Sequence, residues 1–210
     1  MLHLARRIAD AGADIISTTA PLAFCSSQED IVRHFELLTD SVRVPWMVYG
    51  NAFSYPEIEP QTFRRLAQMD GIAAVKDTRP DMRGALSNLL ALENEPAAYL
   101  SGGEYLIGPM FLLGAAGNVS GLTSLYPKVF VELYTCAKNG DAVGVARLSK
   151  EIAVMHGAIS DAGFWLAAFK AIGARLGYMR PFCAQPCPPL TDQTALRQVG
   201  VLSERFSAWE

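Results

Sequence analysis

The 210-residue chain has little excess charge of either sign and few residues of the types that build metal sites or disulfide frameworks. Eighteen Lys and Arg stand against 21 Asp and Glu, so no basic surplus indicates a nucleic-acid partner. Among four cysteines and three histidines, only Cys183 and Cys187 lie close together, and no histidine flanks them at zinc-ligand spacing. We therefore expect no metal and a reducing, cytoplasmic setting.

An uninterrupted apolar run long enough to cross a membrane is also missing. The most apolar stretch, YLIGPMFLLGAAGNVSGL at 105–122, is broken by Pro109 and several glycines. It predicts a buried helix followed by a strand, and no membrane partner. The sequence shows no internal repeat. Half of its residues are hydrophobic, enough for a sizeable core, so we expect a globular chain whose partners are small molecules or protein.

What the chain does contain is a regular alternation of predicted strands and helices. After a helix at 2–12, strands are predicted at 13–18, 44–50, 71–77, 97–103 and 116–121, with helices at 26–42, 59–70, 81–93 and 104–114 between them. Strands separated by helices run parallel with right-handed crossovers. Near-continuous apolar strands favour a sheet covered on both faces, which is α/β architecture. Beyond Tyr126 only helices are predicted, at 127–138, 141–159, 163–177 and 192–208.

The carboxyl ends of the predicted strands carry the residues that could do chemistry, because the following loops converge there. They are Thr18, Thr19, Tyr49, Lys76, Ser101, Gly102, Gly103, Asn118, Val119 and Ser120. A period of two puts Ile72 and Ala74 on one face with Lys76, and Met47 on one face with Tyr49. If both faces point inward, the amine and the phenol share one pocket.

This pairing fits Schiff-base chemistry. Apolar walls favour the neutral Lys76 amine, which attacks a carbonyl, and a neighbouring phenol can relay protons. Gly102 and Gly103 would let backbone amides approach a substrate carboxylate. The plainer interpretation is that Lys76 simply leaves the core beside a solvated Asp77, with Tyr49 as a packing residue. Spacing alone favours the plainer interpretation.

Five segments in order carry a family resemblance: PLAFCSSQEDIVRHFELL, VPWMVYGNAF, GIAAVKDTRPDM, YLSGGEYLIGPMFLLGAAGNVSG and YPKVFVELYTCAKNGDAVGVARL. Together they resemble the dihydrodipicolinate synthase and N-acetylneuraminate lyase family of pyruvate-dependent class I aldolases. The resemblance implies a TIM (β/α)8 barrel with a C-terminal helical extension, in a homotetramer built as a dimer of dimers. Here it implies a partial barrel at 1–139 and a helical extension packed on it at 140–210.

The resemblance also implies roles for individual residues. Lys76 in VKDT would form the imine with the keto acid, and Tyr49 in VYGN would shuttle protons. Thr78 would contact the substrate, and Val119 would line the site through its backbone carbonyl, with Gly102 and Gly103 as the rest of the pocket. The implied activity is a lyase, an aldolase or dehydratase acting on pyruvate or a 2-keto-3-deoxy acid with no cofactor.

Three departures from the family pattern bear on the substrate. Pro21, Leu22 and Ala23 stand where the synthase has a Pro-Tyr-Tyr relay, and Tyr49-Gly50 replaces the usual Tyr-Asn. Ser54 falls at or near the synthase arginine that binds the aldehyde substrate's carboxylate. These departures favour a 2-keto-3-deoxy sugar acid or a similar keto acid over the substrates of lysine biosynthesis.

The match begins late in the barrel. It places residues 13–18 at the fourth strand, so the first three β/α units and the Gly-Thr-Thr-Gly-Glu-like carboxylate loop have no counterpart. Five parallel strands cannot close such a barrel, and open edges recruit partners. We expect either a piece of a longer protein or a truncated, inactive paralogue that serves as an oligomer-forming or binding subunit. A weaker alternative is an unrelated α/β enzyme that uses Lys76 as a carboxylate clamp.

Overall fold

A computed structural model describes residues 1–21, 27–51 and 55–210. The chain divides into two compact units, Met1–Val119 and Ser120–Glu210. The first holds the sheet and the second is helical. The sequence-based boundary at 139/140 stays a prediction.

The first unit is built on one five-stranded parallel sheet, as the alternation predicts. Its strands are β1 (Ile16–Thr19), β2 (Trp46–Asn51), β3 (Ile72–Thr78), β4 (Ala98–Ser101) and β5 (Gly117–Asn118), paired in chain order. The register aligns Thr19 with Tyr49, Tyr49 with Lys76 and Lys76 with Leu100. The register between β2 and β3 shifts by one residue between Trp46 and Met47. From Ala74 onward, the side chains of β3 therefore alternate regularly between the two faces of the sheet.

The helices of this unit follow the predicted order with shorter bounds. They are α1 (Leu2–Asp10), α2 (Gln28–Ser41), α3 (Pro60–Ala67), α4 (Met82–Ala91) and α5 (Ile107–Leu112). Ser27 is the N-cap of α2, since its side chain accepts a hydrogen bond from the Asp30 amide at 3.2 Å. One face of α2 is buried, since Ile31, Phe35 and Leu38 are at most 1% exposed, and Val42 at its C-cap is 5% exposed.

Burial differs between the two faces of the sheet. On the face covered by α3 and α4, Trp46, Val48 and Val75 are fully buried. On the other face Met47, Tyr49, Lys76 and Leu100 are only half-buried. This less buried face is called here the inner face. Among the described residues, β1 and β5 each pair with one strand only.

The second unit contains α6 (Pro127–Lys138), α7 (Ala142–Asp161), α8 (Trp165–Arg175) and α9 (Gln193–Arg205), with short 3-10 helices at Leu122–Ser124 and Ser207–Trp209. Its core is formed by side chains that are at most 1% exposed, including Leu133, Leu148, Ile152, Ile172 and Val199. Within the described ranges, no single helix is long and apolar enough to cross a bilayer; α7 and α8 reach that threshold only together, as a pair bent by 109°.

Candidate active site

Lys76 and Tyr49 meet on the inner face near the carboxyl ends of β3 and β2. Because they are register partners on adjacent parallel strands, both side chains leave the sheet at the same level. The Lys76 Nζ lies 3.9 Å from the centroid of the Tyr49 ring. An amine at this distance contacts the ring face, and an ammonium form is attracted by the ring quadrupole. Across the described ranges, Lys76 forms no salt bridge, so no carboxylate holds the amine away from an incoming carbonyl.

Thr78 and Gly102 form the next part of the site. A Cβ added to Gly102 would overlap Thr78 Oγ1 and would lie 3.0 Å from Lys76 Cε. Only glycine therefore fits between the two side chains. Thr78 Oγ1 is buried and has no hydrogen-bond partner among the described atoms. A buried hydroxyl without a partner next to the lysine side chain is a group that a bound substrate could satisfy.

The amides of Gly102 and Gly103 differ in their hydrogen bonds. The Gly102 amide donates to the Asp77 carbonyl at 2.7 Å, so it is already used inside the protein. The Gly103 amide has no partner in the described part of the chain. Glycine is needed at 103 for space, because a Cβ there would lie 2.9 Å from the Arg79 carbonyl oxygen.

The remaining strand-end residues lie around this pair at the same end of the sheet. Val119 follows β5, is exposed, and donates its amide to the Ser101 carbonyl at 3.0 Å. Thr18 and Thr19 end β1 beside Tyr49, and the Thr18 hydroxyl donates to the Thr19 carbonyl at 3.3 Å. The roles of Lys76, Tyr49, Thr78, Gly102, Gly103 and Val119 stay predictions.

The plain interpretation of Asp77 as a solvated neighbour of Lys76 is wrong, because Asp77 is 3% exposed. It points to the helix-covered face, where its Oδ2 accepts hydrogen bonds from Asn88 Nδ2 at 2.9 Å and from the Tyr99 hydroxyl at 2.8 Å. Burial raises the pKa of Asp77, and the bonds from Asn88 and Tyr99 and the nearby Arg79 charge oppose that rise. The alternation along β3 could have indicated this orientation, but its partners could not be read from sequence.

Of the three departures noted in the sequence, only one lies fully within the described residues. Gly50 is buried, and a Cβ at this position would overlap the ring of Phe63 on α3. The glycine thus lets α3 pack closely on β2 beside Tyr49. Leu22, Ala23 and Ser54 lie outside the described residues. In the part of the chain that the structure describes, no cluster of three or more His, Cys, Asp or Glu side chains could hold a metal ion.

Comparison with known proteins gives a single family. Residues 1–204 match the model of the dihydrodipicolinate synthetase family. The chain is 30% identical over 206 residues to a 4-hydroxy-tetrahydrodipicolinate synthase of Corynebacterium jeikeium, covering 95% of this chain and 68% of that protein.

Solved structures give the same result. A dihydrodipicolinate synthase from Bacteroides thetaiotaomicron superimposes with a TM-score of 0.89 at 25% identity, covering 97% of this chain and 70% of the other. A prophage protein of the dihydrodipicolinic acid synthase family from E. coli K12, solved in complex with pyruvate, superimposes with a TM-score of 0.88 at 24% identity, covering 98% of this chain and 70% of that one.

The match covers only part of each relative. The chain spans 51% to 68% of the length of the first three curated relatives. The five parallel strands are therefore a part of a TIM-type barrel, as the sequence predicts.

Proposed function

Because the chain belongs to the dihydrodipicolinate synthetase family, we propose that it is a lyase that forms an imine between Lys76 and the keto carbon of pyruvate or of a 2-keto-3-deoxy acid. One observation carries this proposal: the Lys76 Nζ lies 3.9 Å from the centre of the Tyr49 ring, at the carboxyl end of the sheet. Active sites of parallel α/β barrels gather at this end.

The first steps follow from these side chains. The neutral Lys76 amine adds to the keto carbon and gives a carbinolamine. The Tyr49 hydroxyl donates a proton to the carbinolamine oxygen, water leaves, and the nitrogen lone pair closes the C=N bond. The Tyr49 phenolate left by this transfer then takes a proton from the neighbouring carbon, which gives an enamine, the carbon nucleophile of an aldolase. When the imine is formed with a 2-keto-3-deoxy acid, the corresponding enamine expels the hydroxyl group two carbons from the imine carbon, and this group leaves as water after taking a proton from the Tyr49 hydroxyl.

The surrounding residues have supporting roles in this proposal. The buried Thr78 hydroxyl contacts the substrate beside the imine, and the Gly103 amide binds its carboxylate. The Val119 carbonyl lines the pocket. We also propose the dimer-of-dimers assembly and the cytoplasmic location that the sequence predicts. No metal or cofactor takes part in these steps.

Hydrogen exchange into pyruvate tests the imine without any aldehyde partner. The 210-residue chain is incubated with pyruvate in D2O, and loss of the methyl proton signal is followed by NMR. We expect exchange by the wild-type chain, since an enamine picks up deuterium, and none above background by Lys76→Ala. Lys170→Ala is the matched control and should exchange like wild type. Equal exchange by the wild-type chain and Lys76→Ala would exclude the proposed imine.

A second candidate function is a non-catalytic binding subunit, and the half-buried inner face with its open edge strands favours it. Unpaired strand edges are templates for further strands. This candidate predicts binding to a complete homologue, measured by co-sedimentation, and no pyruvate exchange by the chain alone. Exchange by the chain alone would exclude it.

A further inference from the structure

Asp77 is a buried carboxylate that the proposed reaction does not use. It lies between Lys76 and Thr78 in β3 but faces away from both, into the helix-covered side of the sheet. Burial alone does not require a carboxylate here, since an apolar side chain of similar volume is often as stable as a buried charge with partners. The hydrogen bonds of Asp77 therefore need an explanation beyond packing.

Three segments converge on this carboxylate. Asn88 reaches Oδ2 from α4, and Tyr99 reaches the same oxygen from β4. Both partners are buried, at 0% and 4% exposure. Arg79 approaches Oδ1, with its Nε at 4.0 Å. Removal of the carboxylate would take this acceptor from the Asn88 amide and leave the Tyr99 hydroxyl only its longer bond to the Ala85 carbonyl, at 3.4 Å, which costs more than the net strength of the bonds.

Arg79 extends the network to the segment before α3. Its Nη1 contacts Glu57 Oε1 at 2.6 Å, and its Nη2 donates to the Ile58 carbonyl at 3.0 Å. The Arg79 side chain is 16% exposed and is thus held on several sides. The carboxyl end of β3 is tied in this way to α4, to β4 and to the chain that follows β2.

The backbone of Asp77 connects this network to the inner face. The Asp77 carbonyl accepts the Gly102 amide at 2.7 Å, and the Gly102 α-carbon is packed against Thr78 Oγ1 and Lys76 Cε. The two peptide groups that flank Asp77 also carry Lys76 and Thr78. A rotation of the Asp77 backbone would therefore move Lys76, Thr78 and Gly102 together.

We propose that Asp77 is a positioning residue, which holds the end of β3 so that the Lys76 amine lies over the Tyr49 ring and the Thr78 hydroxyl lies against Gly102. The inference rests on the proposed function, because Lys76 is the group that it positions. Asp77 touches neither substrate nor the reacting nitrogen. Its effect passes through the backbone.

Tyr99→Phe is the mildest test, because it deletes one hydrogen bond to Asp77 and keeps the ring. Asp77→Asn keeps the shape and removes the charge. We expect the pyruvate exchange rate at saturation to fall about tenfold in either variant, since small displacements of reacting groups are costly. The half-saturating pyruvate concentration should change less than the rate. The double variant should exchange at the same rate as the slower of the two single variants, because both changes break the same network.

Thr39→Val is the matched control for lost stability. The Thr39 hydroxyl is buried and donates only within α2, to the Phe35 and Glu36 carbonyls, each at 3.1 Å. Its removal should lower the melting temperature without changing exchange per folded molecule. If Tyr99→Phe and Thr39→Val have equal exchange rates at equal folded fraction, Asp77 has no positioning role.

A second measurement separates this inference from the proposed function. Trinitrobenzenesulfonate reacts with free amines, so it reports on Lys76 without any need for pyruvate. Peptide mass spectrometry gives the rate at which Lys76 is labelled. We expect faster labelling of Lys76 in Asp77→Asn and Tyr99→Phe, because the amine is released from the Tyr49 ring, with unchanged labelling of Lys170. Unchanged labelling of Lys76 would overturn the positioning role. Faster labelling together with no pyruvate exchange by the wild-type chain would overturn the imine and support the positioning.

Discussion

At the scale of single residues, Gly102 decides how closely Thr78 and Lys76 approach each other. Gly102→Ala should lower the pyruvate exchange rate by about tenfold or more, because the new Cβ displaces both side chains. The cost in unfolding free energy should be about 1 to 3 kcal/mol, because the new Cβ would also lie 3.2 Å from the Asp77 carbonyl oxygen. NMR exchange and urea denaturation measure the two effects.

Gly200→Ala is the control for this substitution. Gly200 lies in α9, and its added Cβ would meet only Arg175 atoms at 3.6 Å or more. Alanine there should raise stability slightly through helix propensity and leave exchange unchanged. An unchanged exchange rate in Gly102→Ala would contradict the close packing of the site.

His34 makes stability depend on pH. Its Nε2 is buried without a partner among the described atoms, and burial lowers the pKa of His34 below its usual 6.5. The unfolded chain therefore binds a proton more readily than the folded one, so stability is full above pH 6.5 and falls as the pH drops through that value. Urea denaturation from about pH 7.5 to about pH 5.5 should show a larger loss for wild type than for His34→Gln.

His3 supplies the control, because its side chain is exposed on α1. His3→Gln should keep the full pH dependence of wild type. If His34→Gln loses as much stability on acidification as His3→Gln, then His34 is not the group responsible.

Some contacts between residues of the site could be predicted from the sequence, and others could not. Tyr49 and Lys76 lie near the carboxyl ends of adjacent parallel strands, so their meeting follows from alternation and register. The use of the Gly102 amide by Asp77 could not be predicted, because a sequence does not say which carbonyl an amide will find. Tyr99 lies 22 residues from Asp77, and only the sheet pairing brings them together.

At the scale of elements, helix caps determine where helices begin. Asp141 caps α7, since its side chain accepts the Gly144 amide at 2.9 Å. Asp141→Ala should lower the unfolding free energy by about 1 kcal/mol, measured by urea denaturation. Asp161→Ala at the other end of α7 should not destabilise, because a carboxylate near a helix C-terminus opposes the dipole. Equal losses in both variants would argue against the cap.

The order of the helices and strands could be predicted from the sequence more accurately than their first and last residues. The five strands and nine helices of the described chain follow the predicted order, because apolar periodicity and Gly or Pro stops mark each one. The helix predicted at 127–138 is observed at Pro127–Lys138, but the other bounds differ by one to several residues, as for the strand predicted at 116–121 and observed at Gly117–Asn118. Pairing partners set strand length, and those are absent from local sequence.

At the scale of the whole molecule, the open sheet should promote self-association. β1 is an edge strand in the described structure, and its Ser17 is exposed. Analytical ultracentrifugation should show association of the wild-type chain that rises with concentration. Ser17→Lys should reduce it, because a charged lysine on an edge strand opposes pairing with another edge. Ser17→Thr is the uncharged control. A wild-type chain that stays monomeric at all concentrations would contradict this prediction.

The central claim is that the Lys76 amine condenses with a keto acid on the inner face beside Tyr49. Borohydride reduction in the presence of pyruvate tests it most directly, because it converts an imine into a stable secondary amine that peptide mass spectrometry can map. We predict one carboxyethyl adduct per chain at Lys76, lost in Lys76→Ala and formed more slowly in Tyr49→Phe. An intact chain that is reduced with pyruvate and carries no adduct at Lys76, or carries it on other lysines equally, would contradict the claim.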